Sequence, residues 1–161
     1  MPKAFIGIGS NLGDKRAQCE RAVAWLSALP KTEVKRTSSF YLTEPVGERA
    51  QPWFVNMVAV LETKLDCKEL FFWLKKGETL LGRLPTWPKG PRLIDLDLLL
   101  YDDCVLKTPF LTVPHPQLHK RAFVLVPLTE IAREERHPLL KKTFAELLDD
   151  LQFKEWVIKI R

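Results

Sequence analysis

Apolar residues recur along this chain with two different periods, and the switches between them predict its elements. Residues 3–9, KAFIGIG, alternate as a first strand. SNLGDKRAQCERAVAWLSALP then gives turn residues followed by Ala17, Val23, Ala24 and Leu26 at helical spacing, with Pro30 as a stop. TEVKRTSSFYLTEP is β-rich as far as Pro45, VGERAQP reads as a loop, and WFVNMVAVLET continues as a strand, so two strands with a long connection are expected over 32–63. DCKELFFWLKKGETLLGR offers Asp66 as an N-cap and sets Leu70, Phe71, Leu74 and Leu81 at helical spacing. The proline-rich LPTWPKGP can neither extend that helix nor enter a central strand, which makes it a loop of the kind that serves as a lid. RLIDLDLLLY is the next strand, and DDCVLKTP is expected to turn back as a short edge strand. AFVLVPLTEIA and TFAELLDDL read as helices, and KEWVIKI alternates Trp156, Ile158 and Ile160 as an added strand would. The order β-α-β-β-α-β with additional C-terminal elements predicts a ferredoxin-like α+β fold, an antiparallel sheet with helices packed on it.

A chain of 161 residues, 46% hydrophobic, can bury one sizeable core, so a single domain over 1–161 is expected. Its net charge of +5 suits an anionic substrate or nucleic acid and decides between neither. Cys19, Cys67 and Cys104 are odd in number and form no C-x-x-C pair, which argues against a disulfide framework or a thiolate metal site and for a reducing cytoplasm. The start, MPKAFIGIGS, lacks the apolar core of a signal peptide, and no apolar run approaches membrane-spanning length.

The stretch GPRLIDLDLLL carries the chemistry. Asp95 and Asp97 are two residues apart on a strand, so their side chains share a face with Cα atoms about 7 Å apart. An isolated D-x-D is more often the wet face of a half-buried strand, but Asp is depleted in strands and like charges on one face repel. A hard divalent cation removes that repulsion, and Mg²⁺ needs only one or two protein carboxylates when phosphates and water complete its shell. Arg83 and Arg92 bracket the proline-rich loop, placing guanidiniums where they can grip phosphate. His115 is fixed between prolines in VPHP; Phe54 and Asn56 share a strand face, which sets a flat ring beside an amide that donates and accepts. GIGSNLG fails as a dinucleotide fingerprint because its spacing is G-x-G-x-x-x-G; Gly9, Ser10 and Asn11 read instead as a strand-to-helix turn that braces neighbouring loops.

Taken together, IGSNLGD, TEPVG followed by QPWFVN, Glu78 to Arg83 as E-x-x-x-G-R, GPRLIDLDLLLY and VPHPQLHKRAFVLVPLTEIA resemble the family of 6-hydroxymethyl-7,8-dihydropterin pyrophosphokinases. The resemblance runs from about Phe5 to Ala132 and leaves 133–161 as a C-terminal extension. These folate-pathway enzymes move a diphosphoryl group from ATP to a pterin alcohol and release AMP. The resemblance implies that Asp95 and Asp97 hold two Mg²⁺ ions bridging the ATP phosphates, with Asp97 also a candidate acceptor for the alcohol proton. It assigns Arg83 and Arg92 to the transferred group, His115 and Arg121 to the nucleotide phosphates, and Glu78 to the adenosine end. Asn56 would read the pterin edge between Phe54 and Phe123, with Thr43, Pro45 and Val46 completing the pocket. The lid departs from the family pattern: Lys89 stands where a tryptophan usually precedes G-P-R, Trp87 lies two residues earlier, and further arginines are missing, so Trp87 and Lys89 are the expected nucleotide contacts there. The expected partners are therefore ATP and the pterin, with neither nucleic acid nor membrane, and a monomer.

Two other classes fit parts of the pattern. An RNA-binding module would share the fold and the basic charge, but the aromatic signature K/R-G-F/Y-G/A-F-V-x-F/Y is absent. A nucleotidyl or sugar-nucleotide transferase could use D-x-D, and its by-product would separate it from a diphosphokinase.

Overall fold

A computed structural model describes residues 1–46, 50–82, 92–152 and 154–160. Strands β1 (Lys3–Ser10), β3 (Phe40–Thr43), β4 (Phe54–Thr63), β5 (Asp95–Tyr101) and β8 (Val157–Ile160) form an antiparallel sheet of order β5-β1-β4-β3-β8. The single long strand expected over 32–45 is instead two, β2 (Thr32–Thr37) and β3 (Phe40–Thr43), which pair in succession with the two ends of β4. The break falls at Ser38, whose N–H donates to the Val58 carbonyl while its hydroxyl accepts the Val58 N–H. Apart from that break, the first five elements of the sheet layer have the connectivity and strand order of a ferredoxin-like split βαβ sandwich, and β8 (Val157–Ile160) extends the sheet beside β3.

Strand alternation sorts the core into two layers. Ala4, Ile6 and Ile8 of β1 face helices α1 (Lys15–Ser27) and α2 (Cys67–Leu80), meeting Cys19, Ala22 and Leu26 of the first and Leu70 and Leu74 of the second. Phe5, Val58 and Val60 face the opposite side, where α3 (Ala122–Ala132) and α4 (Phe144–Asp149) supply Val124, Leu125, Leu128 and Phe144. The α1 face differs from its expected set: Ala24 is exposed, and Cys19 and Ala22 take the buried positions. Helix α2 begins where expected, with Asp66 and Glu69 forming a reciprocal capping box worth about 1 kcal/mol.

One expected pairing is not found. β6 (Leu106–Lys107) does not return along β5; it pairs with β7 (Thr112–Val113) in a separate two-stranded ribbon. Between β5 and this ribbon the chain turns at Asp102, which has a positive φ. Among the described residues no helix is long and apolar enough to cross a membrane.

Candidate active site

Among the described residues, α3 and α4 pack on one end of the sheet face that carries Phe5, Val58 and Val60. At the other end β1 contributes no side chain to that face, because Gly7 and Gly9 occupy it. The register places Gly9 between Asn56 of β4 and Asp95 of β5, and Gly7 between Val58 and Asp97. A glycine floor about two strand spacings wide therefore separates the amide from the carboxylates, roughly 10 Å across. Over this floor opens a cleft. Thr43, Val46, Phe54, Asn56 and Phe123 line its one end, and Arg92, Asp95, Asp97 and Arg121 also line it. The Asn56 amide is oriented by its Nδ2, which donates to Thr43 Oγ1 at 2.8 Å. Pro45 is buried and is not among the lining residues.

A second cleft meets the first at Asp97, which lines both. Its walls are apolar, with Phe71, Leu98, Phe110 and Leu111, and its polar groups besides Asp97 include Lys75, Thr112 and His115. His115 is docked on the sheet by its own N–H, which donates to Leu99 O at 2.9 Å. Its Nδ1 accepts the Gln117 N–H at 3.1 Å, which leaves the ring proton of the neutral form on Nε2. Burial, with Arg121 and Lys75 adding to it against Asp95, pushes His115 down to about 4, so at neutral pH it is an uncharged donor.

Asp97 shows the opposite shift. Burial first, then the Asp95 charge, with a smaller push from Glu78, lifts it to about 7 against the pull of Lys75 and Arg121. Asp95 has the Arg92 guanidinium nearby, Nη1 to Oδ2 3.8 Å. A raised carboxyl binds more protons folded than unfolded, so its ionisation subtracts stability as pH rises from the unfolded value of about 4 toward 7. Asp97→Asn is therefore expected to raise the melting temperature of the ligand-free protein at pH 8 by on the order of a few degrees. The gain should shrink to nothing near pH 4; a loss of stability at pH 8 in thermal melts would contradict this reading.

The strand bearing both carboxylates is clamped from its free edge. Leu96, between them, donates its N–H to Glu78 Oε2 at 2.8 Å, and its carbonyl accepts from Lys75 Nζ at 3.5 Å. Lys75 Nζ in turn lies 3.3 Å from both Glu78 oxygens. Satisfying an edge strand's outward amide by a buried carboxylate on α2 fixes the height of Asp95 and Asp97 over the floor. Glu78 is buried by this arrangement and lines neither cleft, in contrast to the adenosine contact the resemblance implies. Asn11 performs the bracing expected of it: its Nδ2 donates to Gln51 Oε1 (2.7 Å) and Pro52 O (3.0 Å), and its Oδ1 accepts the Arg92 N–H (2.7 Å). Arg83, Trp87 and Lys89 lie outside the described residues.

Sequence reasoning missed the glycine floor and Lys75. Gly at i and i+2 of a strand marks a close approach on one face, a signal that was present in GIG. Lys75 carried none, since a lysine three residues before a glutamate on a helix is an ordinary surface pair. Among the described residues no group of three or more His, Cys, Asp or Glu side chains gathers as a metal site. Two carboxylates that repel one another on the wall of a cleft also lined by Arg92 and Arg121 nevertheless fit Mg²⁺, which draws the rest of its shell from substrate and water.

Residues 5–133 match the family model described as 7,8-dihydro-6-hydroxymethylpterin-pyrophosphokinase (HPPK). The 2-amino-4-hydroxy-6-hydroxymethyldihydropteridine pyrophosphokinase of Haemophilus influenzae is 41% identical over 134 residues, 83% of this chain and 84% of that protein. Its counterpart in Bacillus subtilis is 40% identical over 131 residues, 81% of this chain and 78% of that one. The folic acid synthesis protein fol1 of Schizosaccharomyces pombe is 39% identical over 148 residues, which is 92% of this chain but 20% of that longer protein. A crystal structure of Plasmodium falciparum HPPK-DHPS wild type with pteroate superposes with a TM-score of 0.75 over 92% of this chain and 42% of that one, at 15% identity, a likeness of fold.

Proposed function

This chain belongs to the HPPK family, and from that premise we propose that it transfers the diphosphoryl group of ATP to 6-hydroxymethyl-7,8-dihydropterin and releases AMP, a step of folate synthesis. The observation that carries the reading is the arrangement of two clefts meeting at Asp97. One offers an oriented amide and two phenyl rings to a planar heterocycle, the other apolar walls and a neutral imidazole donor to a nucleotide.

In this reading Asn56 hydrogen-bonds the pterin edge while Phe54 and Phe123 hold its ring, with Thr43 and Val46 beside it and Pro45 supporting them from behind. The hydroxymethyl oxygen attacks the β-phosphorus, the bond from that phosphorus to the α,β-bridging oxygen breaks, and AMP departs with the electron pair. Asp95 and Asp97 would hold two Mg²⁺ ions, which supply charge neutralisation for the phosphate oxygens when bound. Arg92 and Arg121 line the cleft where the transferred group would lie, and the reading keeps Arg83, Trp87 and Lys89, which lie outside the described residues, as nucleotide contacts. Little covalent chemistry is asked of the protein; it orients two substrates and opposes charge with charge.

The same reading makes the protein a cytoplasmic monomer of a single domain that needs neither membrane nor nucleic acid. The free thiols Cys19, Cys67 and Cys104 support the reducing compartment.

Since His115 donates as a neutral group, His115→Ala should weaken nucleotide binding by about 10- to 100-fold, the loss of one hydrogen bond to a charged oxygen. The ratio to wild type should stay flat between pH 6 and 8 in calorimetric titrations; a ratio that climbs toward pH 6 would mean the imidazolium is the ligand. The function itself is tested by incubating the protein with MgATP and the reduced hydroxymethylpterin and identifying the nucleotide formed. AMP is expected, whereas ADP would indicate a simple kinase and pyrophosphate release a nucleotidyl transferase.

A further inference from the structure

We propose that Lys75 is a further substrate-binding residue of this site, a cation that meets the α-phosphate of the nucleotide and offsets the charge that leaves on AMP. The inference rests on the diphosphoryl-transfer reading and adds to it a residue from α2.

Three features of its position carry the argument. Phe71 and Lys75 are one helical turn apart, and both line the second cleft, with the ammonium 5.5 Å from the Phe71 ring centroid. The head group is anchored, not free to wander: Glu78 and the Leu96 carbonyl hold it from behind, at the edge of the strand that carries Asp97. Of its three N–H donors these partners occupy two directions, and the side chain is 41% exposed, so the third can meet a ligand in the cleft. Glu78 is buried against the strand, which leaves the positive end of the pair facing outward.

The order of the clefts says which phosphate it meets. A nucleoside seated among Phe71, Leu98 and Phe110 sends its triphosphate over Asp97 toward the glycine floor, where the β-phosphorus must face the alcohol. The α-phosphate is then the one nearest the second cleft, and Lys75 lines only that cleft. As the β-phosphorus to bridging-oxygen bond breaks, its electron pair stays on the oxygen that becomes part of AMP, while the new bond forms to the alcohol oxygen and the alcohol proton passes to solvent. A fixed ammonium beside the α-phosphate is matched to that charge as it develops.

The test compares wild type with Lys75→Met, Lys75→Gln and Lys75→Arg. Calorimetry with AMP and Mg²⁺ should show affinity reduced about tenfold in the Met and Gln variants, as for one lost charge-assisted hydrogen bond, and largely restored in the Arg variant. The kcat for AMP formation should fall in parallel, with pterin affinity unchanged. If kcat falls while AMP affinity stays at the wild-type value in both neutral variants, Lys75 only braces the strand and the proposal is overturned. Unchanged kcat and affinity overturn it as well. A wild-type protein that makes no AMP would sink the diphosphoryl-transfer reading, yet the AMP affinities would still decide whether Lys75 touches the nucleotide.

Discussion

Asp97→Asn is expected to lower kcat for AMP formation by about a thousandfold or more while making the ligand-free protein more stable, and Asp95→Asn should match the loss of activity. The substitution keeps the size and planarity of the side chain and removes its charge. In the folded protein the Asp97 carboxylate is held in a poor environment: burial and the Asp95 charge oppose it, and the pull of Lys75 and Arg121 does not compensate. A fold under selection for stability alone would not place two carboxylates across from Gly7 and Gly9. The same unfavourable charge becomes useful once a divalent cation and phosphate enter, because it is then the ligand. Several kcal/mol of charge stabilisation at the reacting phosphate depend on it, and about 1.4 kcal/mol corresponds to each factor of ten. Opposite signs of the two effects distinguish a functional carboxylate from a structural one. Steady-state kinetics and thermal melts on the same preparation check it; parallel losses of activity and stability would mean that Asp97 serves the fold.

The second large effect is expected at Gly9, a residue that touches no reacting atom. A methyl group added at Gly9 would fall on the Oδ1 of Asn56, with Phe54 Cδ2 3.8 Å away on the same side. The strand cannot retreat, because Gly9 is paired on both sides, with Asn56 of β4 and Asp95 of β5. The amide must therefore swing, breaking its 2.8 Å bond to Thr43 Oγ1 and turning away from the heterocycle. Gly9→Ala should thus weaken pterin binding by about 10- to 100-fold, comparable to Asn56→Ala, since each costs one or two buried hydrogen bonds of roughly 1–3 kcal/mol. The double variant should be little worse than either single one, as for two changes acting on one group. Nucleotide affinity should hold. Fluorescence titration with the pterin measures this, and a Gly9→Ala protein with unchanged pterin affinity would show that the amide is not the reading group.

The D-x-D pair was legible because two charges in an apolar strand break the period-2 pattern, and such a break has few physical causes. Helix α2 was legible from its cap and its stripe of leucines. The glycines were visible, yet their meaning depended on register: only the pairing of β1 with both β4 and β5 turns GIG from a turn signal into the floor between an amide and two carboxylates. The division of 32–45 into β2 and β3 is not legible in the sequence because the serine hydrogen bonds that break it are made to β4, distant in sequence. Glu78 illustrates the same limit from the other side. Its place in E-x-x-x-G-R suggested a nucleotide contact, whereas the structure gives it to the Leu96 N–H, a tertiary partner no local pattern encodes. Cys67 and Cys104 are a further case: 37 positions apart in the sequence, they come close enough for Cys104 to push the Cys67 thiol up, with burial the larger influence.

In the proposed function, Asp95 and Asp97 are the point where a nucleotide from one cleft meets a heterocycle from the other. A crystal structure with Mg²⁺, a non-hydrolysable ATP analogue and the hydroxymethylpterin tests it most directly. Metal is expected on both carboxylates at about 2.1 Å, with the triphosphate crossing Asp97 and the hydroxymethyl oxygen facing the β-phosphorus over Gly7 and Gly9. Carboxylates bound only to water, with the triphosphate lying away from β5, would contradict it.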